Sequence, residues 1–338
     1  MLSASPIRVA AFTSGATVPG ARFRVRQYIP ALAQAGIVVT EHWPRLSAFP
    51  PRAKWLRPAW FAGTLAQRLP QIALAQNVDV TWLYRELIST LVTFEGFTRQ
   101  PRLLDVDDSI HLFRDGNTAR RLARMVDLVV VSSPYLADAW RRWTPHVEVL
   151  PMAVDTDRIT PAPFPSRPVI GWLGSPPNLP YLGRIAPALA AVMARFPGTT
   201  VAVCSEQPPL LPGLPVRYVP WSPTAERPFL DSLSIGIVPL ADTPWERGKF
   251  SYKMLLYMAA GRPVVGSPVG SGADMLYGHN VGIAAADHEQ WVAALSTLLA
   301  DQAAMQRLGS EGRLVAVRDY SVSAVAPRLA KILHRLAA

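Results

Sequence analysis

Cysteine, charged residues and long apolar runs are all scarce in this chain of 338 residues. Cys204 is the single cysteine, which excludes an intrachain disulfide, and no group of Cys and His residues has the spacing of a zinc site. We therefore expect a reducing, cytoplasmic setting. Only 17% of the residues are charged and 50% are apolar, a composition that excludes an intrinsically disordered chain.

The apolar runs are too short to cross a bilayer. The longest, at 185–194, spans ten residues and contains Pro187, whereas a membrane-spanning helix needs about 20. The first residues lack a basic segment followed by an apolar stretch, so we expect no signal peptide. Any contact with a membrane is therefore expected to be peripheral, at its inner face.

Acidic residues are outnumbered, since 34 Lys and Arg residues against 24 Asp and Glu residues give a net charge of +10. Nucleic acid is not an expected partner, because no basic run exceeds Arg141-Arg142 and no nucleic-acid-binding motif is present. Phosphorylated ligands and an anionic membrane surface both fit the excess of cations. The segment 42–68 suits a membrane interface because it interleaves aromatic rings with cations. Tryptophans buried in an ordinary helix are the alternative interpretation.

Short β-branched runs alternate with segments of helical length along the chain, which indicates parallel sheets with helices on both faces. In the first half the predicted strands are Ile7–Thr13, Ile37–Glu41, Val80–Tyr84, Leu103–Val106, Leu128–Ser132 and Val147–Leu150. In the second half they are Val169–Leu173, Thr200–Cys204, Arg217–Val219, Ile235–Pro239 and Pro263–Ser267. The pattern predicts two tandem Rossmann-like α/β domains.

A polar, proline-rich stretch separates the two sets of strands. We predict an N-terminal domain over residues 1–153, a linker over 154–168 and a C-terminal domain over 169–318. The residues from 289 onward have helical periodicity, with a break at Tyr320-Ser321. The last segment, 319–338, is predicted to be a terminal helix that crosses back to the N-terminal domain.

The segment 239–270 contains a predicted strand end, a polar loop and a predicted helix from Gly248 to Gly261. Two of the four lysines of the chain, Lys249 and Lys253, lie four residues apart here, a spacing that places both ammonium groups on one helix face. The free N–H groups and the positive dipole end of a helix start attract anions. The segment therefore predicts a diphosphate site, and a solvated helix face is the alternative.

The sequence MAAGRPVV at 258–265 resembles the end of the donor-binding helix of the family-four (group 1) retaining glycosyltransferases. The two glutamates of that family's pattern are out of register, because Gly248 and Leu256 occupy their positions and Glu246 lies two residues before the first. The Gly-Lys-x-x-x-Lys sequence is similar to a subgroup in which lysines take over donor contacts. Segments 132–136, 147–158 and 169–176 resemble the family as well.

The resemblance implies the GT-B architecture, in which two Rossmann-like domains face a cleft. It implies a hexosyltransferase that moves a sugar from a nucleotide diphosphate sugar to the hydroxyl of a glycan or lipid-linked acceptor in glycan or polysaccharide synthesis, with retention at the anomeric carbon. It implies no cofactor and no metal, because cations such as Lys249 and Lys253 stabilise the leaving diphosphate. The further donor contacts that it implies are Gly15, Arg22, Arg26, Gly174, Ser175, Glu246, Gly248, Phe250, Ser251 and Gly270.

Carboxylates cluster at 105–108, directly after a predicted strand. Such a cluster suits a hard cation, as in the Asp-x-Asp of glycosyltransferases with the GT-A architecture. The tandem domains and the two lysines favour GT-B instead, so we place Asp107 and Asp108 on the acceptor side as catalytic residues. A structural cap for the following helix is the alternative. The other residues expected on the acceptor side are Arg85, Glu86 and His111.

Two other functions are compatible with the sequence. A sugar-nucleotide epimerase can share the double Rossmann frame, and a non-catalytic subunit that binds a nucleotide sugar would explain why the motif glutamates are out of register. A nicotinamide dehydrogenase does not fit, because neither strand-to-helix loop reads Gly-x-Gly-x-x-Gly.

Overall fold

The computed structural model describes residues 5–16 and 18–338. Thr17, in the predicted loop 14–20, and the first four residues, on which part of the signal-peptide prediction falls, lie outside the described residues. The chain divides into two compact units. Unit 1 comprises Met1–Ala153 and Val322–Ala338, and unit 2 comprises Val154–Ser321.

Unit 1 is built on a parallel sheet of six strands in the order β2-β1-β3-β4-β5-β6. The strands are β1 Ile7–Phe12, β2 Ile37–His42, β3 Val80–Tyr84, β4 Arg102–Val106, β5 Leu128–Val131 and β6 Val147–Val149. The helices between them are α1 Ile29–Gln34, α2 Arg57–Leu74, α3 Asn117–Ala123 and α4 Pro134–Trp140. The strand order reverses between β1 and β3, which makes the carboxyl ends of these two strands the place where open α/β sheets bind ligands.

Unit 2 has a second parallel sheet of six strands, in the order β12-β11-β10-β7-β8-β9. The strands are β7 Val169–Leu173, β8 Thr200–Ser205, β9 Val216–Pro220, β10 Ile235–Val238, β11 Val264–Gly266 and β12 Gly282–Ala284. The helices are α5 Leu179–Arg184, α6 Ala186–Arg195, α7 Glu226–Asp231, α8 Pro244–Arg247, α9 Tyr252–Ala259, α10 Ser271–Gly278, α11 His288–Ala300 and α12 Gln302–Tyr320. Here the order reverses between β7 and β10.

The final helix, α13, covers Val322–Ala337 and packs in unit 1 against α1 and β3. Its apolar face places Val325, Leu329 and Leu333 in the core on one side of the sheet, together with Tyr28 and Leu32. A second apolar core covers the other side of that sheet. Unit 1 therefore completes its core with residues that follow unit 2 in the sequence.

The strand predictions are confirmed to within a residue at each end, and β12 is a strand that the sequence does not predict. The predicted break at Tyr320-Ser321 is also confirmed, because α12 ends and α13 begins there. The stretch 154–168 belongs to unit 2, and arginine side chains bind it to the rest of that unit. Arg313 donates to the carbonyls of Thr156 and Ile159, and Arg262 donates to that of Pro163.

Among the described residues, no helix is both long enough and apolar enough to cross a bilayer.

Candidate active site

The helix that carries the lysines begins later than the sequence predicts. α9 starts at Tyr252, and residues 248–251 form the turn between α8 and α9. Ser251 has non-helical backbone angles (φ −76°, ψ 60°), and its N–H donates to Ser271 Oγ at 2.8 Å instead of extending the helix toward Gly248. Lys249 therefore precedes the helix while Lys253 lies in its first turn, so the prediction of one shared helix face is wrong.

The two lysines nevertheless converge on the loop that follows β7. Lys249 Nζ lies 3.3 Å from Asn178 Oδ1 and 5.7 Å from the centre of the Tyr181 ring. Lys253 Nζ lies 5.3 Å from the centre of the Trp172 ring, at the end of β7. Both contacts have the geometry of cation–π pairs, which hold an ammonium group in place without neutralising it.

Gly174 makes room for Lys253 in this loop. A Cβ atom at Gly174 would lie 2.6 Å from Lys253 Cε and 2.7 Å from the Trp172 ring, so a side chain at this position would displace one of them. Ser175 follows, exposed, with its Oγ accepting a hydrogen bond from Asn178 Nδ2 at 3.0 Å. The glycine thus keeps the loop backbone close to the ammonium group.

Glu246 is the carboxylate of this group. It is buried, accepts hydrogen bonds from the hydroxyls of Tyr181 and Thr243, and lies 3.6 Å from Lys249 Nζ. Burial alone would raise the pKa of Glu246, but these hydrogen bonds and the charge of Lys249 outweigh it and lower the pKa. Glu246 is therefore ionised and anchors Lys249 beside Tyr181.

Lys253 is the more perturbed of the two lysines. Burial, followed by the like charge of Lys249, lowers the pKa of Lys253 to about 8. An anion bound between the two ammonium groups would relieve both effects. The pair therefore has the electrostatics of an anion-binding site at the switch point between β7 and β10.

The remaining predicted donor contacts of unit 2 surround the same turn. Gly248 is buried, and Phe250 packs against the Tyr320 ring with 6.2 Å between ring centres. Ser251 Oγ is buried without a hydrogen-bond partner among the described residues. Gly270 adopts φ +54°, and a Cβ there would lie 2.4 Å from the Arg247 carbonyl oxygen, so only glycine fits this approach.

A cavity of about 250 Å³ adjoins this group. It opens where β10, β11 and β12 end, and Tyr181, Arg184, Ser267 and Trp291 are among its lining residues. Tyr181 lines the cavity and also contacts Lys249 and Glu246. The site thus offers room for a further group beside the lysines.

The aspartates of unit 1 have separate surroundings. Asp105 is buried in an ion pair with Arg24, at 2.7 Å between Oδ1 and Nη2, and accepts a hydrogen bond from Trp82 Nε1. Asp107 is also buried, and the Tyr84 hydroxyl donates to its two oxygens at 2.9 and 3.0 Å. Burial raises the pKa of Asp107. Asp105 is thus a structural residue, whereas Asp107 lies at the carboxyl edge of the sheet.

Arg85 forms ion pairs with two other residues predicted on the acceptor side, Asp108 and Glu86. Its Nη1 lies 3.0 Å from Asp108 Oδ2, and its Nε lies 3.8 Å from Glu86 Oε2. The Arg85 backbone has φ +60°, an uncommon conformation for a side chain of this size that costs about 1 kcal/mol or more. Glu86 is buried, its Oε2 has no hydrogen-bond partner among the described residues, and it lines a small pocket with Ser14.

Tyr84 is a residue of this edge that the sequence pattern does not single out. The one sequence feature that could have indicated Tyr84 is its position at the end of β3, because residues there lie at the carboxyl edge of the sheet, where ligands bind. A Cβ at Gly20 would lie 1.7 Å from the Tyr84 hydroxyl oxygen. A glycine at position 20 is therefore required for the Tyr84–Asp107 contact.

Arg22 and Arg26 lie in a π-helical turn at Ala21–Val25 and a 3-10 turn at Arg26–Tyr28 rather than in an α-helix. Arg22 stacks on the Phe23 ring at 4.9 Å. Arg26 pairs with Glu41 at 2.6 Å and donates to the Gly15 carbonyl. These contacts fold the loop onto β2.

His111 is buried rather than on the surface. Its ring packs at a tilt against Tyr135, with 6.4 Å between ring centres. Burial, with the charge of Arg142, lowers the pKa of His111. Within residues 5–16 and 18–338, His, Cys, Asp and Glu side chains form no group of three or more that could hold a metal ion.

Solved structures that resemble the whole chain decide its architecture. Sucrose-phosphate synthase from Thermosynechococcus elongatus superposes with a TM-score of 0.76 and 19% identity, over 98% of this chain and 99% of that chain. The chain has the GT-B fold. Two further GT-B matches are HepE from Anabaena in complex with UDP-glucose (TM-score 0.69, 15% identity, 98% and 100% covered) and WaaG, a glycosyltransferase involved in lipopolysaccharide biosynthesis (TM-score 0.70, 13% identity, 96% and 99% covered).

Sequence similarity is concentrated in the second half of this GT-B chain. Residues 167–301 match the family described as Glycosyl transferases group 1. The match includes the loop after β7, both lysines and the MAAGRPVV sequence. No curated protein matches the sequence.

Proposed function

We propose that the chain is a glycosyltransferase that moves a sugar from a nucleotide diphosphate sugar to an acceptor hydroxyl. The observation that carries this proposal is the convergence of Lys249 and Lys253 on the loop after β7, inside the region that matches group 1 glycosyl transferases. The GT-B fold supports it. HepE, which has the same fold, is solved with UDP-glucose, and we extend that donor class to this chain.

We propose that the donor diphosphate lies between the two ammonium groups. Departure of the nucleoside diphosphate from the anomeric carbon leaves negative charge on the terminal phosphate oxygens. Lys249 and Lys253 are fixed by Tyr181 and Trp172, so they stabilise that charge without reorganising. The reaction then needs no metal, and we propose transfer of a hexose with retention at the anomeric carbon.

We propose that the acceptor hydroxyl binds at the carboxyl edge of the unit 1 sheet. Asp107 holds the Tyr84 hydroxyl there, and Arg85 and Glu86 line the neighbouring pocket. These carboxylate and hydroxyl groups suit a polyhydroxylated acceptor, such as a glycan or the sugar of a lipid-linked molecule. We place the enzyme in the cytoplasm, in peripheral contact with the membrane.

The test begins with a panel of nucleotide diphosphate sugars. A donor that binds the folded protein raises its melting temperature, and Lys253→Met should abolish the shift, whereas Lys331→Met, on the exposed surface of α13, should leave it unchanged. Incubation of the stabilising donor with glycan and lipid-linked acceptors should then give a glycosylated product. Epimerised donor without acceptor would identify an epimerase. Donor binding without any product would identify a non-catalytic subunit, and either result would contradict the proposal.

A further inference from the structure

After its first residue, Arg57, α2 presents an uncharged and largely apolar face to solvent. Its exposed side chains from 58 to 74 are Pro58, Ala59, Ala62, Ala66, Leu69, Pro70, Ala73 and Leu74. Leu69 is 48% exposed and Leu74 is 79% exposed. A surface helix normally directs its polar residues outward, so the polarity of α2 is inverted.

The arginine within this stretch points inward. Arg68 is buried, and its guanidinium donates to the carbonyl oxygens of Thr13, His42 and Leu87. The helix thus uses this arginine to bind backbone carbonyl groups in unit 1. What remains outside is a row of alanine, leucine and proline side chains.

Aromatic residues continue the apolar surface on the N-terminal side of α2. Trp55, in the short turn Lys54–Leu56, is 80% exposed, and Phe49 is 59% exposed. The expectation that these rings are buried in an ordinary helix is therefore wrong for Trp55. Exposing a tryptophan ring to water has an unfavourable free energy, whereas placing the ring at the level of lipid headgroups is favourable.

The charges beside these rings have one sign. Arg45, Arg52, Lys54 and Arg57 are exposed, and no Asp or Glu occurs between Glu41 and Asp79. Cations next to an apolar helix face complement a layer of anionic headgroups above acyl chains. A protein partner could also cover the apolar residues, but it would need a matching acidic patch.

We propose that this surface, formed by the exposed residues of 45–57 and the outward face of α2, docks on an anionic lipid bilayer. α2 lies in the plane of the interface, with Leu69 and Trp55 at the depth of the headgroups and upper acyl chains. The four cations contact lipid phosphates. Docking requires no nucleotide sugar, so its failure and the failure of the proposed glycosyl transfer are separate results.

Vesicle co-sedimentation of the full chain tests the charges. We expect binding to vesicles of phosphatidylcholine with phosphatidylglycerol, weaker binding as salt rises, and little binding to phosphatidylcholine alone. Arg52→Glu/Lys54→Glu/Arg57→Glu should lower the affinity for these vesicles by at least about a hundredfold, because each cation at such a surface contributes about fivefold to the affinity.

A matched triple variant, Arg121→Glu/Arg124→Glu/Arg307→Glu, changes the net charge equally on exposed residues elsewhere and should bind the vesicles more tightly than the first triple variant. Equal loss in both variants, or no binding at low salt, would overturn the proposal.

A spin label tests the orientation of α2. In a Cys204→Ala background, which removes the single native cysteine, a label at Leu69→Cys should become accessible to lipid-soluble oxygen and protected from an aqueous nickel complex when vesicles are added. A label at Arg121→Cys should stay in water. If the Leu69→Cys label stays in water while the protein is vesicle-bound, α2 does not face the lipid. A label that is protected only by another protein would assign the face to a protein partner instead.

Discussion

At the scale of single residues, the behaviour of the candidate donor site follows from the half-buried position of Lys253. Its ammonium group lies over Trp172 and near Lys249, so both the loss of hydration and the like charge oppose protonation. Gly174 makes this approach possible. A lysine held in this way binds a phosphate more strongly than a solvated one, because the anion replaces missing hydration and offsets the repulsion.

Replacing either lysine should slow transfer without unfolding the protein. Lys249→Ala or Lys253→Ala should lower turnover by about a hundredfold or more, the usual effect of removing one group that stabilises developing charge. Steady-state kinetics with a saturating donor measure this effect, and circular dichroism checks the fold. Lys331→Ala, on the surface of α13, is the control. Unchanged turnover in both single variants would contradict the assignment of the diphosphate site.

Nucleotide binding should depend on pH in the range set by Lys253. Its pKa of about 8 means that the side chain is cationic below that pH and neutral above it, so affinity for a nucleoside diphosphate should fall as the pH rises through about 8. Calorimetric titrations between pH 6.5 and 9.5 measure this fall. Lys253→Arg, which stays charged across the range, should flatten the profile. A wild-type profile that is already flat would show that Lys253 does not contact the anion.

The lowered pKa of Lys253 also makes the stability of the fold depend on pH, in the direction opposite to that of nucleotide binding. An unfolded lysine stays protonated up to about 10.4, whereas the folded one loses its proton near 8. Between these values the unfolded state binds more protons, so this residue's contribution to the free energy of unfolding rises with pH. Weaker nucleotide binding above pH 8 would therefore not come from loss of the fold through this group.

At the scale of elements, α2 shows how a helix can be fixed by a charge in its buried face. Arg68 donates to carbonyl groups of three separate segments, and burial lowers its pKa to about 10. It ties the end of β1, the end of β2 and the segment after β3 to one helix. The inverted polarity of α2 thus reflects the contacts that Arg68 makes inside unit 1, and it leaves an apolar face exposed to solvent.

Removing that guanidinium should destabilise unit 1. Arg68→Met keeps most of the side-chain volume but leaves the carbonyls of Thr13, His42 and Leu87 without this donor, at a cost of about 1 to 3 kcal/mol for each one that stays unsatisfied. We expect a loss of about 3 kcal/mol in the free energy of unfolding, measured by denaturant titration. Arg57→Met, at the exposed start of α2, should change it by less than about 0.5 kcal/mol. A similar loss in the two variants would contradict this role of Arg68.

The elements also show what sequence patterns can predict. Runs such as 169–173 and 128–131 were predictable because buried parallel strands are short, nearly continuous apolar stretches. The start of α9 was not predictable, because Ser251 N–H bonds to Ser271, a partner 20 residues away. The Tyr84–Asp107 contact was missed for the same reason, since it depends on strand pairing and on Gly20. Patterns predict the elements, and contacts distant in sequence fix their ends and the site geometry.

At the scale of the whole molecule, the two proposed anionic ligands meet cations in different units. Unit 2 concentrates two of the four lysines of the chain at the loop after β7, whereas the exposed cations near α2 in unit 1 form a broad surface. The proposed diphosphate and the proposed lipid headgroups thus contact different members of the 34 Lys and Arg residues that give the chain its net charge of +10.

Transfer should persist when metal ions are removed. Lys249 and Lys253 supply the positive charge that a divalent cation would bring to the leaving diphosphate, so an excess of chelator should change the initial rate by less than about twofold. The rate with EDTA, compared with the rate after addition of manganese or magnesium, measures this. Complete loss with the chelator, restored by manganese, would favour a metal-held diphosphate.

The division of unit 1 into two stretches of sequence has a consequence for how the protein is made. A ribosome releases residues 5–153 early, but one apolar core of that unit lacks α13 until the whole of unit 2 has been synthesised. Unit 2 is continuous in sequence, so it can fold on emergence while the earlier stretch still exposes residues such as Tyr28 and Leu32. The core that contains Tyr28 and Leu32 can therefore be completed only after the last residues of the chain have been synthesised.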